Sequence, residues 1–196
     1  MKIKLIILSF FFSTTVLIGQ TVELDVVFKG DKVGHTTVSR KNYGEGKMYY
    51  ELNSETNVEV LFMKRAIKTN FTAYYENGFL TRCSSRYEVN GEVDSYVSAV
   101  WDGAKYVIES ERGKSTYDKK VQNSVLTLFF TEPVGKSNLW SERIGGIIPM
   151  SSKKTGEYSF KNPVKNGSTN IYKYIKGKLY EVEMSTPVGP SFMRLK

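Results

Sequence analysis

The 196-residue chain carries one cysteine and one histidine, and that scarcity excludes several chemistries at once. No disulfide framework can form, and no Cys/His zinc site or Cys–His dyad has enough ligands unless His35 and Cys83 meet. Proline is scarce too: Pro133, Pro149, Pro163, Pro187 and Pro190 all fall in the last third of the chain. Beyond the N-terminus no apolar run is long enough to cross a bilayer. The formal charge of +8 is dispersed, densest at Lys64-Arg65, Lys119-Lys120 and Lys153-Lys154, so the concentrated basic face that nucleic acid requires is missing. A basic surface of this kind suits weak attraction to an anionic membrane or an envelope polyanion. What is present is apolar and aromatic, 40% hydrophobic with 13% Phe, Trp and Tyr, which is incompatible with a disordered chain. The length suits one domain.

The first twenty residues form a secretory signal. Lys2 and Lys4 precede the apolar stretch Leu5–Phe12, and the segment runs out through Ser13-Thr14-Thr15 to Gly19-Gln20. The division expected is therefore a signal peptide over 1–20 and a single β-roll domain over 21–196. No cysteine stands near the cleavage zone to carry a lipid, so a periplasmic or secreted protein is expected, with no transmembrane segment in the mature chain.

From residue 21 onward the hydrophobic pattern has a period of two. Val22, Leu24, Val26 and Phe28 alternate with Glu23, Asp25 and Val27. Val58, Val60 and Phe62 interleave with Glu59 and Leu61, and Val93, Val97, Ala99 and Trp101 share one parity. Tyr180, Val182 and Met184 oppose Glu181 and Glu183. The dipeptides Asn77-Gly78, Asn90-Gly91, Asp102-Gly103 and Asn166-Gly167 mark tight turns between strands, with Gly30-Asp31-Lys32 and Lys176-Gly177-Lys178 as weaker versions. The fold class expected is all-β: one long antiparallel meander of about ten to twelve strands, which must curl into a half-barrel or spiral β-roll. At most one short helix is expected, near 121–130. There Val121, Val125, Leu128 and Phe129 fit helical spacing, with Asn123 or Ser124 as its cap, and it would plug one end of the sheet. The parity of Leu126, Leu128 and Phe130 fits a strand equally well.

Several motifs look chemical and are not. Gly135-Lys136-Ser137 and Gly113-Lys114-Ser115 resemble phosphate-loop endings, but Phe130 and Ile108 stand where the loop needs its earlier glycine. His35 has no nucleophile elbow near it and reads as a surface residue, and Cys83, in a strand-like run, reads as a small core residue. Glu109 with Glu111, and Glu181 with Glu183, read as solvated carboxylates paired across strands with Lys105, Arg112, Lys178 and Lys173.

The residues that best fit the rim of a pocket are Phe130, Glu132, Trp140 and Glu142, beside Pro133 and Gly135, together with Tyr172 and Tyr174. The competing reading makes the aromatics core and the two acids caps or partners of Arg143.

Leu128-Phe129-Phe130-Thr131-Glu132-Pro133, Trp140-Ser141-Glu142, the run Asn170–Leu179 and Phe28–Gly34 resemble a family of small secreted proteins of unknown function from Bacteroidota. That family is similar to the spiral β-roll domains of Gram-negative envelope proteins. The resemblance implies one rolled antiparallel sheet in an exported protein and supplies no catalytic residues. Phe129-Phe130 stands where the family pattern would begin an aromatic pair with Tyr, at the cost of a hydroxyl.

These readings converge on a non-enzymatic, cofactor-free binder or carrier of an apolar or amphipathic small molecule, such as a lipid, in the cell envelope. That function requires a cavity of a few hundred Å³. The alternative is a protein-interaction module with an envelope protein as partner, which requires a filled roll. A glycan or lipid hydrolase working through Glu132 and Glu142 requires both carboxylates in one cleft.

Overall fold

The computed structural model describes residues 18–60, 63–162, 164, 168–185 and 189–196. Most of the proposed leader, Leu61-Phe62, the Asn166-Gly167 turn, Pro163 and Pro187 lie outside the described residues; Ile18, Gly19 and Gln20 begin the first strand. Eight strands run as a meander: β1 (Ile18–Phe28), β2 (Asp31–Asn42), β3 (Lys47–Val60), β4 (Met63–Glu76), β5 (Phe79–Val89), β6 (Glu92–Trp101), β7 (Tyr106–Ser110) and β8 (Gly113–Tyr117). A single 3-10 turn, Val125–Phe129, precedes a hairpin of β9 (Asn138–Ser141) and β10 (Gly146–Pro149). A second meander follows: β11 (Ser151–Lys154), β12 (Glu157–Lys161), β13 (Thr169–Ile175), β14 (Lys178–Met184) and β15 (Ser191–Leu195).

The two meanders join where β15 pairs with β1, giving one antiparallel sheet of 13 strands in the order β11-β12-β13-β14-β15-β1-β2-β3-β4-β5-β6-β7-β8. The sheet does not close; β8 and β11 are its edges. Both are short and largely polar, β11 reading Ser-Ser-Lys-Lys, which blunts an otherwise adhesive border. Thus the all-β rolled sheet expected from the two-residue period is what forms, and the segment 118–150 carries the chain from one edge to the other through the concave interior.

Local sequence explains the local geometry. Asn77-Gly78 and Asn90-Gly91 take φ angles of 51° and 79°, and 54° and 87°, the double left-handed pair that two-residue hairpins demand. On β3, Tyr50, Leu52 and Ser54 are buried while Asn53 and Glu55 are exposed, so the period of two becomes an inner and an outer face. Bulges break that parity at two places where the sequence predicts continuity. Between Tyr87 and Glu88 the register of β5 against β6 shifts, and Val93 comes out 44% exposed although Val97 and Ala99 are buried. At Lys173–Tyr174 the register against β14 shifts likewise: Leu179 is buried, and Tyr180 leaves the face of Val182 for solvent. These bulges add the twist that rolls the sheet.

Gly34, beside the bulge at Val33 on β2, marks the tightest strand approach. A Cβ there would collide with the Glu55 carbonyl oxygen and lie 2.7 Å from the Thr56 Cα, both of them backbone atoms that cannot swing away. Gly34→Ala is therefore expected to lower the unfolding free energy by about 2 kcal/mol or more in urea titration. Gly146→Ala, whose new methyl would meet only the Ile144 side chain at 3.6 Å, is expected to cost far less.

Candidate functional site

The interior is built around the segment that crosses it. Ser124, in extended conformation, opens the 3-10 turn; its N–H donates to Thr127 Oγ1 (3.2 Å), and that hydroxyl donates back to the Ser124 carbonyl (2.7 Å). Leu126, Leu128 and Phe129 then point into the roll and are buried. The helix-like spacing at 121–130 thus resolves into one buried turn with Ser124 in the capping position. A short parallel bridge, Ser124 to Trp140, ties the turn to β9, and the Trp140 N–H donates to the Asn123 carbonyl at 3.0 Å. Strand β9 is buried on both faces, at Leu139, Trp140 and Ser141, because it lies inside the sheet rather than on it. At the turn after β9, Gly145 has φ +61°, and a Cβ on it would press on Ile108 Cγ2 at 2.7 Å and Val97 Cγ1 at 3.0 Å. The hairpin tip therefore abuts the inner faces of β6 and β7.

The six pocket-rim candidates all belong to this plug or to the strands on which it rests. Trp140 is fully buried, its ring 5.1 Å from that of Tyr106 and 5.7 Å from that of Tyr117, and its Nε1–H points at Cys83 Sγ at 3.2 Å. Cys83 is a core residue, as its strand parity suggests, and burial pushes its thiol well above the ordinary range. Tyr172 is buried between Phe129 and Phe160, with ring centroids at 5.8 and 5.7 Å. Tyr174 donates its hydroxyl to the Leu128 carbonyl at 2.7 Å, tying β13 to the 3-10 turn. Phe130 is half-buried under the Arg40 guanidinium, 5.1 Å from its centroid, and 5.8 Å from the Tyr50 ring. Glu132 lies half-buried and accepts the Tyr158 hydroxyl at 2.8 Å.

Glu142 is the unusual member. It is fully buried, and Oε1 accepts the Leu126 N–H at 3.3 Å, so the carboxyl covers the open amide end of the 3-10 turn. Its Oε2, the Ser124 Oγ and the Tyr75 hydroxyl are buried without a hydrogen bond of standard geometry. Burial raises its pKa to about 7, against the partial relief given by Ser124 and the nearby amides. Among the described residues no ion pair reaches it; Arg143 instead lies 3.8 Å over the Tyr87 ring and 4.0 Å from Asp94. The polar set Glu142, Ser124 and Tyr75 was not anticipated as a group. The sequence signals were the capping position of Ser124 and Glu142 itself, whose bond to the Leu126 amide fits the capping alternative and not the pairing with Arg143; Tyr75 carried none.

The two carboxylates do not share a cleft. Glu142 is sealed from solvent, whereas Glu132 is half-buried and engaged with Tyr158. Two open depressions are formed by described residues. One of about 300 Å³ borders Lys120, Asn123, Lys136, Asn138, Trp140 and Ile147. The other, about 190 Å³, crosses β3 to β5 at Asn53, Glu55, Lys68, Asn70, Arg86 and Glu88. Trp140 is the one rim candidate bordering either. The acids pair across strands as expected, but only one set is solvated: Glu109 and Glu111 meet Lys114 and Arg112 at the surface, whereas Lys173 holds Glu181 at 2.8 Å and Glu183 at 2.9 Å in a largely buried cluster. Lys105 and Lys178 take no part in these pairs. Among the described residues no His/Cys/Asp/Glu group could hold a metal ion.

On the outer face one cross-strand row reads Lys41, Tyr49, Tyr74, Arg82, Val100, Val107 from β2 to β7. Tyr49 and Tyr74 rings lie 4.5 Å apart, Arg82 stacks on Tyr74 at 3.7 Å, and Val100 and Val107 are 48% and 43% exposed.

Two measurements test this account. Trp140→Ala is expected to cost about 3–5 kcal/mol in urea unfolding and to collapse the near-UV circular dichroism, because it empties the centre of the plug. Glu142 sets a pH slope. The folded carboxyl holds its proton up to about pH 7, while the unfolded one releases it near the ordinary value of 4.5. Its contribution is therefore full below pH 4.5 and is lost as pH rises to about 7, by up to about 3 kcal/mol. Glu142→Gln, titrated in urea between pH 5 and 8, is expected to flatten that slope.

Comparison with known proteins matches the architecture. A beta-barrel-like protein of the domain of unknown function DUF1849 from Brucella abortus shares the fold, with a TM-score of 0.60 at 11% identity over 92% of this chain and 96% of that one. No curated protein matches the sequence. Residues 24–196 match a domain of unknown function, DUF6134, across almost all of the strands described above, and the chain belongs to that family.

Proposed function

We propose that the protein is a non-enzymatic interaction module of the cell envelope that binds a protein partner through the outer face of its rolled sheet. The observation that carries this reading is the filled interior. A carrier needs an inner volume for its ligand, but Trp140 and Glu142 occupy that place with no exposed surface, and Tyr172 and Tyr174 are spent on holding the 3-10 turn. The outer row supplies what a binding patch uses: two tyrosines in contact, an arginine stacked and held flat, and two exposed valines beside it. Export by the leader at 1–20 is part of the proposal, and it makes an envelope protein the partner class.

A photocrosslinking residue placed at Val100 in the full chain, expressed in its own host, tests the reading. One discrete crosslinked protein is expected, lost when Tyr74→Ala and Arg82→Ala are combined and absent when the crosslinker stands at Glu45 instead. Native mass spectrometry of the purified protein separates the competing reading. A bound lipid-sized mass that survives in the Tyr74/Arg82 variant, with no Val100 crosslink, would restore the carrier.

A further inference from the structure

The segment that fills the roll is joined to the sheet by apolar packing and single hydrogen bonds, not by a strand ladder. The β9–β10 hairpin forms its own two-stranded sheet and shares no ladder with the other 13 strands. The segment's hydrogen bonds to the sheet are single ones made mostly by side chains: Leu80 N–H to the Val121 carbonyl, Val121 N–H to the Tyr106 hydroxyl, the Tyr174 hydroxyl to the Leu128 carbonyl, the Tyr158 hydroxyl to Glu132 and the Trp140 indole to Cys83. No strand ladder has to break for the hairpin to part from the 13-stranded sheet. At the centre of the segment sits Glu142, bonded to the plug's own turn through Leu126.

The surroundings of Glu142 have no charge to offer it. Tyr75 faces it from β4, Cys83 from β5 and Tyr172 from β13, all acids that stay neutral there, and the Ser124 hydroxyl faces it from the plug itself. Arg143, the neighbouring cation in sequence, is turned to Tyr87 on β5 and Asp94 on β6. A carboxylate in this site has one amide bond at 3.3 Å and, beyond it, only the neutral Ser124 hydroxyl and neighbouring amides without standard geometry, whereas water satisfies both oxygens at once.

We propose that residues 121–150 form a protonation-controlled plug: it is seated while Glu142 is a neutral acid, and it leaves the roll, sheet still folded, by exposing that carboxyl and giving its proton to water. The coupling needs no second reactant. The proton goes to solvent when the plug opens and returns when it closes.

Amide hydrogen exchange on the full chain at pH 5 and pH 8, corrected for the intrinsic base-catalysed rate, decides the matter. Protection at Leu126, Trp140 and Gly145 is expected to fall on the order of a hundredfold from pH 5 to pH 8. Protection at Leu52 and Phe71, in the centre of β3 and β4, is expected to change far less. Glu142→Gln should make the plug amides independent of pH. Plug protection that does not vary with pH, or that falls in step with Leu52 and Phe71, would overturn the proposal, as would a pH response that persists in Glu142→Gln. The wild-type comparison of plug with sheet stands even if the variant does not fold.

Discussion

An open, strongly twisted sheet of 13 strands has one large apolar face and nothing in the sheet itself to cover it. Everything else in the structure follows from how that face is covered. The chain does it with its own crossing segment. From the free edge at β8 it passes through the concavity, packs Leu126, Leu128, Phe129, Leu139 and Trp140 there, and emerges to start the opposite edge at β11. The connection between the edges is therefore the core. A flat sheet could not hold such a segment; the bulges at Val33 on β2, Asp94 on β6 and Tyr180 on β14 add the twist that curls the sheet around it.

Covering the face this way brings polar groups inside. The 3-10 turn exposes amides that a longer helix would satisfy along its length, and the roll must answer them without water. Glu142 does so for Leu126, and the Tyr174 and Tyr106 hydroxyls do so for the Leu128 and Leu80 carbonyls. Two of these three answers are neutral hydroxyls and cost little. The third is an acid, whose charged form burial disfavours, and Oε2, Ser124 Oγ and Tyr75 OH lie beside one another without hydrogen bonds of standard geometry. The least stable polar cluster of the core therefore lies at the joint between plug and sheet.

The sequence made the sheet legible because a sheet with one wet face writes its period into every strand, and because Asn-Gly turns have few alternative uses. The short turn at 121–130 was half legible: Val125, Leu128 and Phe129 have helical spacing behind the cap at Ser124, but Leu126, Leu128 and Phe130 read equally well as a strand. The plug hairpin was not. Leu139-Trp140-Ser141 is buried on both sides, so it has no period, and next to Pro133 and Gly135 it reads as an aromatic loop around a pocket. A glutamate lining a cleft and a glutamate sealed under a 3-10 turn look identical in sequence; only the fold distinguishes Glu132, bonded to Tyr158, from Glu142. Strand parity also identifies inward residues without saying what they meet, which is why Trp140 could be read as either rim or core. The places where parity failed, Val93 and Tyr180, are both beside bulges, which have no composition of their own.

With the concavity occupied by the plug, the outer face of the sheet is where the proposed partner would dock. The outer row at Tyr49, Tyr74, Arg82, Val100 and Val107 shares strands with the inner row it backs: Tyr74 and Ala73 are neighbours on β4, and Arg82 and Cys83 are neighbours on β5. Cys83 is the atom against which the Trp140 indole is set. Whatever seats or unseats the plug thus acts on residues one position away, on the opposite face, from those that would meet a partner. A strand transmits such a change only if its backbone shifts, and the bulges beside Tyr74–Tyr75 and Tyr87–Glu88 are the points on β4 and β5 where the ladder is already interrupted and can give. The physical link between interior and exterior is then the pair of strands β4 and β5, carrying Tyr75 and Cys83 inward and Tyr74 and Arg82 outward.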